Sequence, residues 1–238
     1  MGLIGYLIYF NTVKSDDFIN SPYNTRQDTF SDRVVRGSIL SSDGEVLAQT
    51  NVSEDGTEER SYPYGNTFAH VVGYDTNGKS GLESEANFQL LSSHEFFLNQ
   101  IRNEFMGTKN TGDSVVSTLS ADLQTTAYNS LGDRRGAVVA LEPSTGKILA
   151  MVSKPDFDPN TISENWDSLV NDETNSSLLN RATMGQYPPG STFKVVTALD
   201  YFRTHGSFNG FSFDCQGSIT KEGHTIQCYN GNVHGTED

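Results

Sequence analysis

The sequence is poor in positive charge, in cysteine and in long apolar runs, and each shortage excludes a class of protein. Its 16 lysines and arginines face 30 aspartates and glutamates, which gives a formal net charge of -14. A chain without a dense basic surface cannot displace counterions from phosphates, so we expect no nucleic-acid partner. The acidity is typical of a soluble surface that resists self-association.

Cys215 and Cys228 are the only cysteines. Neither a CxxC pair nor a Cys/His cluster with zinc-ligand spacing accompanies them, so we expect no metal site, and no cofactor is implied. The segment between them is typical of two short strands around the turn 221–224, an arrangement in which the thiols could face each other. A disulfide and two reduced thiols both remain open. The histidines also lack metal-ligand spacing and receive no catalytic role: His70, His94, His205, His224 and His234.

The apolar run over residues 1–10 is too short to cross a bilayer, which needs about 20 apolar residues. It also lacks the basic start and the small-residue cleavage site of a signal peptide. Two interpretations follow from the residues alone. The run is either a short strand, buried or frayed, or the outer end of a membrane anchor.

The remaining pattern predicts an α+β protein of two domains, the second beginning near Asp113. Ser120 is positioned to cap a helix over residues 121–131, with Leu123, Ala127 and Leu131 on one face. Other elements follow from apolar runs and turn residues. They are a polar connector over 17–30, a hairpin over 34–40 and 45–50, a helical stretch that follows 79–83 and continues through 98, a central hairpin over 136–141 and 147–152, and a helix after the Pro-Pro-Gly corner at 188–190.

A Ser-x-x-Lys pattern occurs three times, at Ser144, Ser191 and Ser218. On a helix, residues three apart share a face, so a lysine desolvated by burial can act as the base that a weakly nucleophilic serine needs. Only Ser191 opens an apolar helix that we expect to be buried; Ser144 lies in a turn and Ser218 in the hairpin between the cysteines. Ser191 and Lys194 are therefore the candidate nucleophile and general base, although an ordinary capping serine would show the same motif.

Longer matches resolve that ambiguity. Tyr187-Pro-Pro-Gly-Ser-Thr-Phe-Lys194 resembles the active-site serine motif of penicillin-binding transpeptidases. Upstream segments resemble class B penicillin-binding proteins in the same order, at 36–44, 81–83, 118–124 and 136–151. The resemblance implies a β-rich N-terminal pedestal, or dimerisation-like, domain at 14–112. It is followed by the first part of a transpeptidase domain of the serine β-lactamase fold at 113–238, and residues 1–13 become a truncated membrane anchor.

The resemblance also implies a reaction and a location. Ser191 would attack the D-Ala-D-Ala bond of a peptidoglycan stem peptide, Lys194 would take its proton, and β-lactams would acylate the same oxygen. The bulk of the chain would lie outside the cytoplasmic membrane on a single-pass anchor, with a membrane glycan polymerase as a further partner. At Arg36, Gly37, Gly81 and Glu83, turn glycines and an ion pair are favoured over substrate contact.

The family also uses Ser-x-Asn and Lys-Thr/Ser-Gly motifs, which this sequence lacks; Ser207-Phe-Asn209 lies too close to Lys194 and in a predicted loop. We therefore expect this chain to be inactive alone and to expose apolar surface. Two alternatives stay open. One is a serine β-lactamase or β-lactam sensor, which has no need of the pedestal, and the other is a non-catalytic envelope scaffold.

Overall fold

The computed structural model describes residues 2–10, 12, 33–95 and 97–237. The connector predicted at 17–30 lies outside these residues. The N-terminal apolar run forms a helix, Gly2–Tyr9, so the strand interpretation is wrong. Within the described ranges, no helix combines the length and the apolar character needed to cross a bilayer.

The chain divides into two compact units, residues 1–186 and 187–238. In the first, strand β2 (Ile39–Leu40) pairs antiparallel with β3 (Val46–Val52), which pairs in turn with β4 (Glu58–Ser61). The other edge of β2 pairs in parallel with β6 (Val115–Val116), which completes a four-stranded sheet. A second parallel pair joins β1 (Val34–Val35) to β5 (Asn110–Thr111). The hairpin predicted around residues 41–44 is confirmed, with its first strand divided into β1 and β2.

Two glycines allow these parallel pairs to approach closely. A Cβ on Gly37 would lie 2.0 Å from the carbonyl oxygen of Asp113, and one on Gly112 would lie 2.1 Å from that of Leu90. Gly37 N donates to Leu90 O at 2.9 Å, and Gly112 N donates to Val35 O at 2.8 Å. Backbone packs on backbone here, which leaves no space for a side chain.

The main core lies between this sheet and short helices that follow it. The helices are Ala69–Val72, Gly81–Glu85 and Asn87–Leu90, and a further helix, Phe97–Met106, follows them along the chain. The helical stretch predicted to follow 79–83 and continue through 98 is therefore interrupted; its first helix already begins at Gly81 and its last runs to Met106. Buried members of the core include Ile39, Leu47, Phe68, Val72, Leu90 and Leu119.

The predicted central hairpin is confirmed as β7 (Gly136–Leu141) and β8 (Ile148–Lys154). The helix Ala121–Leu131 packs beside it, and Ser120 Oγ accepts from Leu123 N at 3.4 Å as its predicted cap. The face that carries Leu123, Ala127 and Leu131 is only partly buried. Leu123 is 37 % exposed, and Gln124 is fully buried because its amide bonds to backbone of neighbouring segments. A helix at Ile162–Val170 was not predicted, since its sequence is mostly polar.

The second unit begins with a 3₁₀ turn, Gly190–Phe193, that leads into the helix Lys194–His205. Strand β9 (Phe213–Cys215) pairs antiparallel with β12 (Gly235–Glu237). Between them lies the hairpin of β10 (Ser218–Lys221) and β11 (His224–Gln227), whose turn is the predicted Lys221-to-His224 segment. The mixture of helix and sheet in both units confirms the α+β prediction.

Candidate active site

Ser191 lies in the 3₁₀ turn that starts the helix Lys194–His205. Pro189 has φ -65°, the value its ring fixes, and Gly190 has φ +54°, which a residue with a side chain rarely adopts. Together they turn the chain sharply, so that Ser191 sits at the start of the helix and Lys194 follows one turn later. The predicted placement of Ser191 at a helix start is confirmed.

Ser191 and Lys194 line the same cleft, which has a volume of about 480 Å³. The opposite wall comes from the ends of β9 and from the β10–β11 hairpin. The other lining residues are both polar and apolar, and they include Phe213, Ile219, Ile226, Gln216, Gln227 and both cysteines. The structure therefore brings the candidate nucleophile and base to one concave surface within the second unit.

The helix that carries Lys194 is exposed, which contradicts the predicted burial. Val195 and Leu199 are 65 % and 58 % exposed, and no residue of the helix is buried. Its sequence is apolar enough for a core, but the rings of Phe208 and Phe211 pack only near its C-terminal end, on Tyr201 and Phe202, and its other apolar side chains stay exposed. The observation agrees with the prediction that this chain exposes apolar surface.

The other Ser-x-x-Lys copies lack the helical setting. Ser144 is exposed in the turn between β7 and β8, and Ser218 begins β10, where residues three apart point to opposite faces. Ser207 accepts from Asn209 N at 2.9 Å in a loop after the helix, which confirms the predicted loop. Ser191 remains the one copy at a helix start.

A cluster of Cys215, Cys228 and His234 adjoins the cleft, and sequence spacing did not predict it. The Cys215 Sγ atom lies 3.5 Å from Cys228 Sγ and 3.4 Å from His234 Nδ1. The donor atoms all lie within 4.8 Å of one another, close enough for a metal ion to contact them. Three donors are one short of the four protein ligands usual in structural zinc sites. Both cysteines are unbridged in this structure.

Hydrogen bonds make the two thiols unequal. The pKa of Cys215 falls to about 6, because the Gly217 N–H and the groups of His234 stabilise its thiolate. The pKa of Cys228 rises, because its hydrogen bond to Cys215 and its burial favour the protonated form. Cys215 is therefore the more nucleophilic thiol at neutral pH.

Arg36 and Glu83 form a buried ion pair far from the cleft in sequence. Arg36 Nε donates to Glu83 Oε2 at 2.7 Å, and Arg60 Nε donates to Glu83 Oε1 at 2.8 Å. Glu83 is fully buried. Gly81, with φ +55°, lies against the backbone of residues 71–73, so the predicted structural role of these residues is confirmed. Burial, followed by repulsion from Glu83, raises the pKa of nearby Asp75.

Family profiles match most of the chain. The penicillin binding protein transpeptidase domain matches residues 136–237, and the penicillin binding protein A dimerisation domain matches residues 36–115. The first match contains Ser191 and the cleft. The second contains the four-stranded sheet, except for the last residue of β6, and the Arg36–Glu83 pair.

Two individual relatives are peptidoglycan D,D-transpeptidases by name. Over 180 residues the chain is 41 % identical to the peptidoglycan D,D-transpeptidase PbpA of Mycolicibacterium smegmatis, an alignment that covers 68 % of this chain and 36 % of PbpA. It is 34 % identical over 171 residues to the peptidoglycan D,D-transpeptidase MrdA of Acinetobacter baumannii, covering 59 % of this chain and 25 % of MrdA. The chain thus spans about a third or less of these relatives' lengths.

A solved structure extends the similarity to three dimensions. The penicillin G acyl-enzyme complex of penicillin-binding protein A from M. tuberculosis aligns with a TM-score of 0.74 at 31 % sequence identity. The alignment covers 85 % of this chain and 50 % of that one.

Proposed function

Because the chain belongs to the class B penicillin-binding proteins, we propose that the full-length protein is a serine D,D-transpeptidase that cross-links peptidoglycan stem peptides. One observation carries the proposal. Ser191 and Lys194 line a single cleft at the start of a helix, inside the segment that matches the transpeptidase domain. A serine and a lysine one helical turn apart are the minimum set for base-assisted acyl transfer.

The proposed reaction has two steps. Ser191 Oγ attacks the carbonyl carbon of the penultimate D-Ala, and Lys194 takes the hydroxyl proton. Lys194 then gives that proton to the nitrogen of the terminal D-Ala as the C–N bond breaks, so that residue leaves as an amine. An amine of a neighbouring stem peptide then attacks the Ser191 ester and forms the cross-link, which restores the hydroxyl. N–H groups at the start of the helix favour the negative charge that develops during each attack.

The proposed division of the chain follows the same family. Residues 1–13 form the outer end of a single-pass anchor, 14–112 the pedestal, and 113–238 the first part of the transpeptidase domain, outside the cytoplasmic membrane. The proposed ligands are stem peptides and β-lactams, with a membrane glycan polymerase as partner. The acyl-enzyme complex of the M. tuberculosis relative supports β-lactam binding.

Labelling with a fluorescent penicillin tests the proposal. The full-length protein should form a stable covalent adduct, visible on a denaturing gel, and Ser191→Ala should abolish it. Lys194→Ala should slow labelling by about a hundredfold or more, since a general base contributes at least that factor. Ser144→Ala is the matched control, because it removes the serine of a Ser-x-x-Lys copy that lies in an exposed turn.

Other results would point to the alternatives. Rapid hydrolysis of the penicillin without a lasting adduct would indicate a β-lactamase. Absence of labelling and of D-Ala release from a pentapeptide donor, in a protein with a native circular dichroism spectrum, would favour the non-catalytic scaffold. The 238-residue chain itself is proposed to remain unlabelled.

A further inference from the structure

A cavity of about 450 Å³ lies within the first unit. Strand β1 and Asn110 of β5 contribute to its walls. So do the end of the helix Asn87–Leu90, the loop 91–94 after it, and Gln100 of the helix Phe97–Met106. Small-ligand sites in proteins commonly have volumes of about 300–1,000 Å³. The cavity is therefore large enough for a small organic molecule.

Hydrogen bonds within the protein hold the walls of the cavity together. Strands β1 and β5 pair in parallel, and Asn110 N donates to Arg33 O at 3.1 Å. Gln100 Nε2 donates to Glu95 O at 3.0 Å, which joins the helix Phe97–Met106 to the loop before it. The walls therefore need no ligand in order to form.

The ionisable side chains on the wall are both basic. They are Arg33 and His94, and among the residues that the structure describes no aspartate or glutamate lines the cavity. This is unusual in a chain with 30 acidic and 16 basic residues. Val34, Phe88 and Leu91 supply the apolar part of the wall. A basic and apolar wall favours a ligand that carries a negative charge on an apolar body.

Two carboxylates close to the cavity in sequence are bound to other groups. Asp113 Oδ1 accepts from His94 N at 3.1 Å, and its second oxygen contacts His94 Nδ1. Glu95 accepts from Thr111 N at 2.9 Å and from Asn103 Nδ2 at 3.2 Å. Asp113 therefore offsets a positive charge on His94, and the net positive charge of the wall comes from the arginine.

Ser93 lines the cavity with a hydroxyl group that lacks a partner. Its Oγ is buried and has no hydrogen bond within the described ranges of the chain. The adjacent Ser92 differs, because its Oγ donates to Phe88 O at 2.8 Å. Buried polar groups in native proteins nearly always have a partner, so an exception calls for one. An acceptor on a ligand in the cavity would supply it.

We propose that this cavity binds a small organic carboxylate with an apolar body of about ten carbon atoms. In the complex, the carboxylate pairs with Arg33 and accepts a hydrogen bond from Ser93 Oγ. The apolar body packs on Val34, Phe88 and Leu91. The site lies outside the segment that matches the transpeptidase domain, so the inference goes beyond the proposed function and does not depend on acylation of the active-site serine.

Titration of the isotope-labelled 238-residue chain with phenylbutyrate, followed by amide chemical shifts, tests the proposal. A ligand of this size should bind with a dissociation constant of about 1 mM or tighter. The shifts should concentrate on the amides of residues 91–94 and 110, which separates this site from the cleft at 191–194. Phenylbutanamide has the same shape without the charge and should bind at least about tenfold more weakly.

Two variants test the assigned contacts. Ser93→Ala should weaken phenylbutyrate binding by about fivefold, while the unliganded chain should be no less stable in urea, because the lost hydroxyl had no partner. A serine with a purely structural role would give the opposite pair of results. Arg33→Gln should also weaken binding by about fivefold. Arg102→Gln removes the same charge from an exposed position on the helix Phe97–Met106 and should bind like the parent chain.

Shifts that do not saturate, equal affinity for the acid and the amide, or shifts confined to residues 191–194 would each overturn the inference. A Ser93→Ala chain that loses stability and keeps its affinity would overturn it too. Penicillin labelling of the full-length protein is scored separately, so failure of this site and failure of the transpeptidase proposal give different results.

Discussion

Gln124 and Met151 are joined by two hydrogen bonds, in which the side-chain amide of Gln124 pairs with both backbone groups of Met151 as a residue of a neighbouring strand would. Met151 N donates to Gln124 Oε1, and Gln124 Nε2 donates to Met151 O, both at 2.8 Å. The same Nε2 donates to Thr67 O at 2.8 Å. One fully buried side chain therefore connects the helix Ala121–Leu131 to β8 and to the 3₁₀ turn that precedes Ala69.

Gln124→Leu should lower the free energy of unfolding by about 2–4 kcal/mol. Leucine fills a similar volume, but it leaves three buried backbone groups without their partner, and each such group costs about 1–3 kcal/mol before relaxation. Urea unfolding followed by circular dichroism measures the change. Gln89→Leu, at an exposed position, is the matched control and should change stability by less than about 0.5 kcal/mol. Equal effects of the two substitutions would contradict the assigned role.

Glu83→Gln should destabilise the fold by about 3–5 kcal/mol, because it leaves the buried guanidinium groups of Arg36 and Arg60 without their shared carboxylate. Glu85→Gln, two residues later and exposed, is the control and should have little effect. Thermal unfolding of both variants at one pH measures the difference. A Glu83→Gln protein as stable as the control would show that the pair contributes little.

Gly37→Ala should destabilise the chain by about 2 kcal/mol or more, because the new methyl group would overlap the Asp113 carbonyl oxygen and the strands would have to separate. Ser38→Ala removes an atom instead of adding one and is the neighbouring control. Unfolding in urea compares the two variants. A Gly37→Ala variant with the same unfolding free energy as Ser38→Ala would contradict the prediction, because it would mean that the two segments separate without an energetic cost.

Stability should fall as the pH drops below about 6.5, and His70 should account for part of the loss. Burial lowers the pKa of His70, whose Nε2 lies 3.2 Å from Pro155 O; Asp156 opposes this shift and Arg181 adds to it. The unfolded chain therefore gains a proton at a pH where the folded chain does not. One such group changes the unfolding free energy by at most about 1.4 kcal/mol per pH unit.

His70→Gln removes that titration. Between pH 7.5 and pH 5.5, the unfolding free energy of the His70→Gln variant should fall less than that of the parent chain. Urea unfolding at both pH values measures the difference. An unchanged pH dependence in His70→Gln would assign the acid sensitivity to other groups.

Local patterns in the sequence predicted the strands, caps and turns, which are determined mainly by residues close together in the chain. The apolar strands at 136–154, the Ser120 cap and the hairpin turn at 221–224 all follow from short-range periodicity and turn preferences, and the structure contains each of them. The Ser191 position at a helix start followed from its Pro-Pro-Gly corner. These features need no knowledge of distant contacts.

Such patterns could not predict contacts between residues that are far apart in the sequence. Gln124 appeared to be an ordinary polar helix residue, because its partners at Thr67 and Met151 are 57 and 27 positions away. His234 meets Cys215 only through the register of β9 with β12, which no spacing rule encodes. The helix Lys194–His205 was predicted to be buried from its apolar residues alone, whereas burial depends on what packs on it.

The arrangement of two arginines around one carboxylate limits how this protein can change over evolutionary time. Loss of Arg60 leaves the Arg36–Glu83 pair intact, together with the bond from Arg36 to Asn87. If Glu83 were lost first, the buried guanidinium groups of Arg36 and Arg60 would have no carboxylate partner. The order of substitution is therefore constrained, and homologues in which Glu83 has been replaced by an apolar residue should also have lost both arginines.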